Sequence, residues 1–116
     1  MELDLSWITQ SLAIGACFSA EHVELLAREH RIGAVVDLRA EECDDAAVLD
    51  RHGISFLHLP TPDMCGVSGS MLTEGVDFVG GHLAAERRVL LHCQYGIGRS
   101  ALLGLCVLVD AGHSPA

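Results

Sequence analysis

Apolar positions along the chain fall into three kinds of run, and each predicts a different element. Ala34 to Leu38 (AVVDL) and Ile54 to Leu59 (ISFLHL) are short and rich in β-branched or aromatic side chains, the pattern of strands buried in a sheet, and Val89 to His92 predicts another. Residues 7–15 (WITQSLAIG) alternate loosely and end in glycine, which predicts a short edge strand or hairpin. Leu72, Val76, Val79 and Leu83 recur at spacings of four, three and four, one face of a helix over about 71–86 that Gly75, Gly80 and Gly81 weaken. A smaller stripe at Val23, Leu26 and Ala27 predicts a helix from Ala20 to about His30. Ser19 is its cap, His22 stands where a capping box has Glu or Gln, and Gly33 ends the segment. AEECDDAAVLDRH (40–52) fits a short helix with an acidic first turn. Residues 100–110 are apolar all round, as in a helix buried in the middle of a domain.

Strands separated by helical stretches give an α/β fold: a central, mostly parallel, twisted sheet of four to five strands flanked by helices. No repeat, low-complexity tract or linker interrupts residues 1–116, so the expectation is a single domain. Ligands of such sheets bind at the carboxyl ends of the strands. Two loops sit at those ends: the one broken by Pro60 and Pro62, and HCQYGIGRS (92–100).

Composition narrows the partners. Sixteen acids stand against seven arginines and no lysine, a net charge of −9, which disfavours nucleic acid and anionic lipid. The first seven residues lack the basic start of a signal peptide, and the most apolar run, 101–109, is far shorter than the roughly 20 residues that span a bilayer. Cysteines at 17, 43, 65, 93 and 106 are odd in number and have no CxxC spacing, which speaks against a disulfide framework or zinc knuckle and for a reducing cytoplasm. The histidines outside HCQYGIGRS (22, 30, 52, 58, 82 and 113) show no i, i+4 pairing, so no metal is expected. The EECDD run at 41–45 reads as a solvated face.

HCQYGIGRS carries the chemistry. Gly96 and Gly98 let the backbone curl so that its N–H groups converge on an anion, and the helix beginning near Ser100 points its positive end at the same place. Arg99 adds a planar fork that grips two phosphate oxygens. Cys93 lies at the base, where both features favour the thiolate and lower its pKa below the usual value of about 8.5. A thiolate beneath a bound phosphate is a nucleophile in line with phosphorus.

HCQYGIGRS, as H-C-x-x-G-x-G-R-S, resembles the signature loop of the cysteine-dependent protein tyrosine phosphatases, closest to the dual-specificity branch. W-I-T-x-x-L-x-I-G, the stretch from His22 to Leu38 and GISFLHLPTPD resemble that branch's opening strands, first helix and strand, and the strand leading to its general-acid loop. The resemblance implies that Cys93 attacks phosphorus while Arg99 and the backbone of Gln94, Tyr95, Gly96, Ile97 and Gly98 hold the phosphate oxygens. Asp63 serves as general acid and then base, Ser100 donates to the departing thiolate, and His92 orders the loop by hydrogen bonds. No cofactor or metal is implied. Glu74 is the nearest substitute acid, since the family's proline after the acid is absent from MCGVSG, and Cys65 is a candidate disulfide partner of Cys93.

Gln94, Tyr95 and Ile97 are uncharged where relatives acting on inositol phosphates carry lysine. That favours a phosphorylated protein or small phosphomonoester, phosphotyrosine first, with phosphoserine and phosphothreonine as further candidates. A phosphate-binding pseudophosphatase and a rhodanese-like sulfur transferase are the rival classes. The chain ends at AGHSPA, where relatives continue with further helices, so the resemblance implies a domain truncated at its C-terminus, with an apolar patch beside 101–109. Oligomeric state is left open.

Overall fold

The computed structural model describes residues 5–62, 66–94 and 98–112. Strands β1 (Leu5–Trp7) and β2 (Leu12–Gly15) form a hairpin, one of the two forms expected of residues 7–15, that begins two residues earlier. They are followed by α1 (Val23–Arg28), β3 (Ile32–Arg39), α2 (Ala46–Arg51), β4 (Ser55–Thr61), α3 (Gly69–Ala84), β5 (Arg88–His92) and α4 (Arg99–Asp110). The sheet order is β1-β2-β5-β3-β4, and every pairing except that of β1 with β2 is parallel. β5 is therefore the central strand, and the loop that leaves it opens at the middle of the sheet's carboxyl edge.

Side-chain alternation sorts the core into two layers, because successive residues of a strand face opposite sides. Ala13, Val35 and Leu90 join Val23, Leu26, Leu49 and Ile54 on the face covered by α1 and α2. Leu12, Ala34, Val36, Val89 and Leu91 join Val79, Leu103 and Val107 on the face covered by α3 and α4. Both sides of β3 and β5 are buried, which is why their sequences read as unbroken apolar runs.

Four expectations are corrected. The helix foreseen over 20–30 is a 3-10 turn at Ala20–His22 followed by only Val23–Arg28. His22 does the work expected of Glu or Gln, its Nδ1 accepting the Ser19 N–H at 3.1 Å. Gly33 does not end that segment: the chain reverses at Arg31, whose φ is 55°, and Gly33 lies inside β3. The second helix starts only at Ala46, because Asp45 caps it by accepting from Ala47 and Val48 N–H. Finally, α4 is buried on one side only, with Leu102, Leu105 and Val109 exposed.

Gly75 weakens the helix pattern for a reason visible in three dimensions. A Cβ there would stand 2.8 Å from Leu103 Cδ1 and 3.0 Å from Leu59 Cδ1, so its absence lets α3 approach both α4 and the sheet.

Candidate active site

β5 delivers His92 and Cys93 to the carboxyl edge of the sheet, both fully buried or nearly so. Gly98, whose φ of 65° suits glycine, precedes α4, which begins with Arg99 and Ser100. Ser100 Oγ lies 3.2 Å from Cys93 Sγ, within hydrogen-bonding distance. Of the predicted site residues, the structure describes His92, Cys93, Gln94, Gly98, Arg99 and Ser100; Cys93 and Ser100 meet directly, while Gln94 Nε2 donates to Cys17 Sγ at 3.4 Å. Tyr95, Gly96 and Ile97, and likewise Asp63 and Cys65, lie outside the described residues. Glu74 is exposed on α3.

Arg99 is 5% exposed and oriented from two sides. Its Nη1 donates to the Thr61 carbonyl at 2.8 Å and to Glu41 Oε1 at 2.7 Å, and Nη2 donates to Glu41 Oε2 at 3.0 Å. A two-pronged bond of this kind fixes the plane of the guanidinium as well as its position. The Arg99 hydrogen bonds hold the Glu41 carboxyl at a pKa of about 2, well below the usual 4.5.

The EECDD run is the main correction to the sequence reading. Glu41, Glu42, Cys43 and Asp45 are exposed as expected, but three of the acids also pair with buried arginines, so the run is more than a solvated face. Glu41 takes Arg99; Glu42 and Asp44 take Arg39, each at 3.0 Å. Arg39, at the end of β3, also donates through Nε and Nη2 to the two oxygens of the wholly buried Asp37. Burial pushes the Asp37 carboxyl up, but the Arg39 hydrogen bonds and the charge of His92 outweigh it and leave its pKa lowered. Asp44 secures the loop further through its own N–H, which donates to Asp37 Oδ2 at 3.0 Å.

His92 joins this network. Asp44 Oδ1 already accepts from Arg39, and Oδ2 lies 2.5 Å from His92 Nε2, so it is the histidine that donates there. The Phe18 ring packs on the imidazole at 4.7 Å between centroids. One acidic loop therefore braces both ends of HCQYGIGRS: Asp44 at His92 and Glu41 at Arg99. Asp37, Asp44 and His92 have ligand atoms within 4.8 Å of one another, a spacing that would suit a cation. The guanidinium of Arg39 already serves both carboxylates.

Sequence reasoning missed Glu41, Asp44, Asp37 and Arg39. The available signal was an Asp and an Arg inside an otherwise apolar strand run, since buried charges need partners and the nearest acids in sequence were those of EECDD.

Comparison with known proteins bears on what this arrangement belongs to. A family model described as "Polymorphic toxin system, DSP-PTPase phosphatase" matches residues 13–113. Comparison with curated proteins finds no match. Among solved structures, Tk-PTP in its active form has a TM-score of 0.86 at 26% identity, covering 99% of this chain and 79% of its own. PTPMT1 in complex with PI(5)P has a TM-score of 0.87 at 23% identity, covering 96% of this chain and 76% of its own. Kinase associated phosphatase (KAP) has a TM-score of 0.81 at 18% identity over 99% of this chain and 79% of its own. The last two share the fold. With the family model matched over residues 13–113, most of the sequence, the chain belongs to the DSP-PTPase phosphatases of polymorphic toxin systems.

Proposed function

We propose that the chain hydrolyses phosphomonoesters on proteins, phosphotyrosine first, through a phosphocysteine at Cys93. Residues 1–116 act in this reading as one catalytic domain in a reducing, cytoplasmic setting that keeps the thiol free. The observation that carries it is the meeting of Cys93 Sγ with Ser100 Oγ at 3.2 Å, at the start of the helix that also supplies the buried Arg99.

In the first step the Cys93 thiolate forms a bond to phosphorus and the bond to the leaving oxygen breaks. Asp63 gives that oxygen its proton. Arg99 and the backbone N–H groups of 94–99 stabilise charge on the three remaining oxygens. In the second step Asp63 takes a proton from water, the water oxygen bonds to phosphorus, and the sulfur–phosphorus bond breaks. Inorganic phosphate leaves, with Ser100 donating to the restored thiolate. Glu41 and His92 touch no reacting atom in this scheme; they position Arg99 and the base of the loop.

Substrate class follows from charge near the arginine. PTPMT1 is seen in complex with PI(5)P. Here Glu41, half-exposed, stands beside Arg99, and Glu42 follows it. Acids in this place disfavour an inositol lipid and admit an aryl phosphate on a neutral or basic segment. The test is a panel of phosphotyrosine, phosphoserine and phosphothreonine peptides with phosphoinositides. Phosphotyrosine turnover that is abolished in Cys93→Ser and falls about a hundredfold or more in Asp63→Ala is the expected result. Preferred turnover of phosphoinositides would overturn the protein substrate, and no turnover of any phosphomonoester would overturn the enzyme.

A further inference from the structure

The end of the sheet opposite Cys93 holds a second concentration of positive charge that catalysis does not use. Among the seven arginines, Arg39 and Arg99 are buried in ion pairs and Arg28 pairs with Glu24 at 3.4 Å. Of the other four, Arg31, Arg87 and Arg88 line a single concavity of about 380 Å³, together with Ser11 and Glu86. No ion pair of these three is found among the described residues. In a chain of net charge −9, three arginines against one acid, Glu86, in the same concavity form a local inversion of sign.

Three further observations mark the place as built. Arg88 is fixed, its guanidinium 4.7 Å over the ring of Trp7 and its Nη1 donating to the His30 carbonyl at 3.2 Å. Trp7, the only tryptophan, remains 39% exposed, with Ile8 exposed beside it. Among the described residues, the two non-glycine positions of positive φ, Arg31 at 55° and Glu86 at 62°, both line this concavity. Left-handed backbone is unfavourable for residues with a Cβ. Exposed tryptophan interleaved with arginine is the composition of protein interface hot spots rather than of ordinary surface.

We propose that this concavity docks an acidic segment of a partner protein, with Arg31, Arg87 and Arg88 meeting its carboxylates and Trp7 packing against it. Arg88 and His92 are the two ends of β5, so a partner seated here leaves the loop that carries Cys93 open.

Trp7 reports directly on the site. The full chain is titrated with an Asp/Glu-rich dodecapeptide while Trp7 emission is followed, with a Gln/Asn-rich peptide and inorganic phosphate as comparisons. A saturable change with the acidic peptide alone is expected, weakened by salt and about tenfold or more by Arg87→Glu, with aryl phosphate turnover unaltered. Arg31→Gly relieves the left-handed backbone while removing a charge, so it should raise the melting temperature and still weaken binding. An emission change equal with phosphate would make this a general anion site. A change with protein concentration alone would make it a contact between copies. Either result, or no change with the acidic peptide, overturns the proposal.

Discussion

The two ends of β5 use the same side chain in opposite ways. At the carboxyl end, Arg39 and Arg99 are buried and every described contact of their guanidinium groups is to a carboxylate or a carbonyl. At the amino end, Arg31 and Arg87 are exposed and Arg88 is partly so, resting on an aromatic ring. Charge removed from water must be matched within the fold, and the matching fixes its direction; charge left at the surface is free to meet an outside partner. An arginine's role in this molecule therefore follows from what pays for its desolvation.

That contrast can be broken by substitution. The largest effect is expected at Arg99: Arg99→Lys keeps the charge but loses the fork, and kcat/KM for an aryl phosphate should fall about a thousandfold, read by steady-state kinetics. Next is Arg39→Met, which leaves the buried Asp37 without its main donor. A loss of about 3–5 kcal/mol in urea unfolding is expected, because the cost is that of stranding a charge in the core.

Glu41→Gln gives a smaller effect with a defined pH window. The folded pKa of Glu41 is about 2 against an ordinary 4.5, so its carboxylate contributes stability that is full above about 4.5 and is lost as pH falls toward 2. The variant should lose the part of the acid unfolding slope that belongs to this window. Its kcat/KM should fall about tenfold near neutral pH as the Arg99 fork loses its support. The smallest effect is at the other end, where Arg87→Ala should change unfolding free energy by no more than about 0.5 kcal/mol and leave turnover unaltered. A loss at Arg87 as large as that at Arg39 would erase the contrast.

The elements that could be read from the chain were those with strong local pattern. β3, β4 and β5 announced themselves as apolar runs, and HCQYGIGRS stood out by its spacing of cysteine, glycines and arginine, which the structure places between the central strand and α4. What local pattern concealed was pairing over distance. Glu41 meets Arg99 58 positions away, and Asp44 meets His92 48 positions away, so EECDD looked like solvated surface when read beside its own neighbours. Gly75 looked like a helix defect for the same reason, since what it accommodates is Leu103 on another helix. The apolar face of α4 was only half understood: its pattern gave burial on all sides, and the fold covers one.

In the proposed reaction Cys93 Sγ is the atom that carries the phosphoryl group. Acid quenching of Asp63→Ala during turnover of a phosphotyrosine peptide, followed by mass spectrometry of the digested protein, tests this directly. A single phosphate on the peptide containing Cys93, absent from Cys93→Ser, is the predicted result. Continued turnover with no phosphate on Cys93 would contradict it.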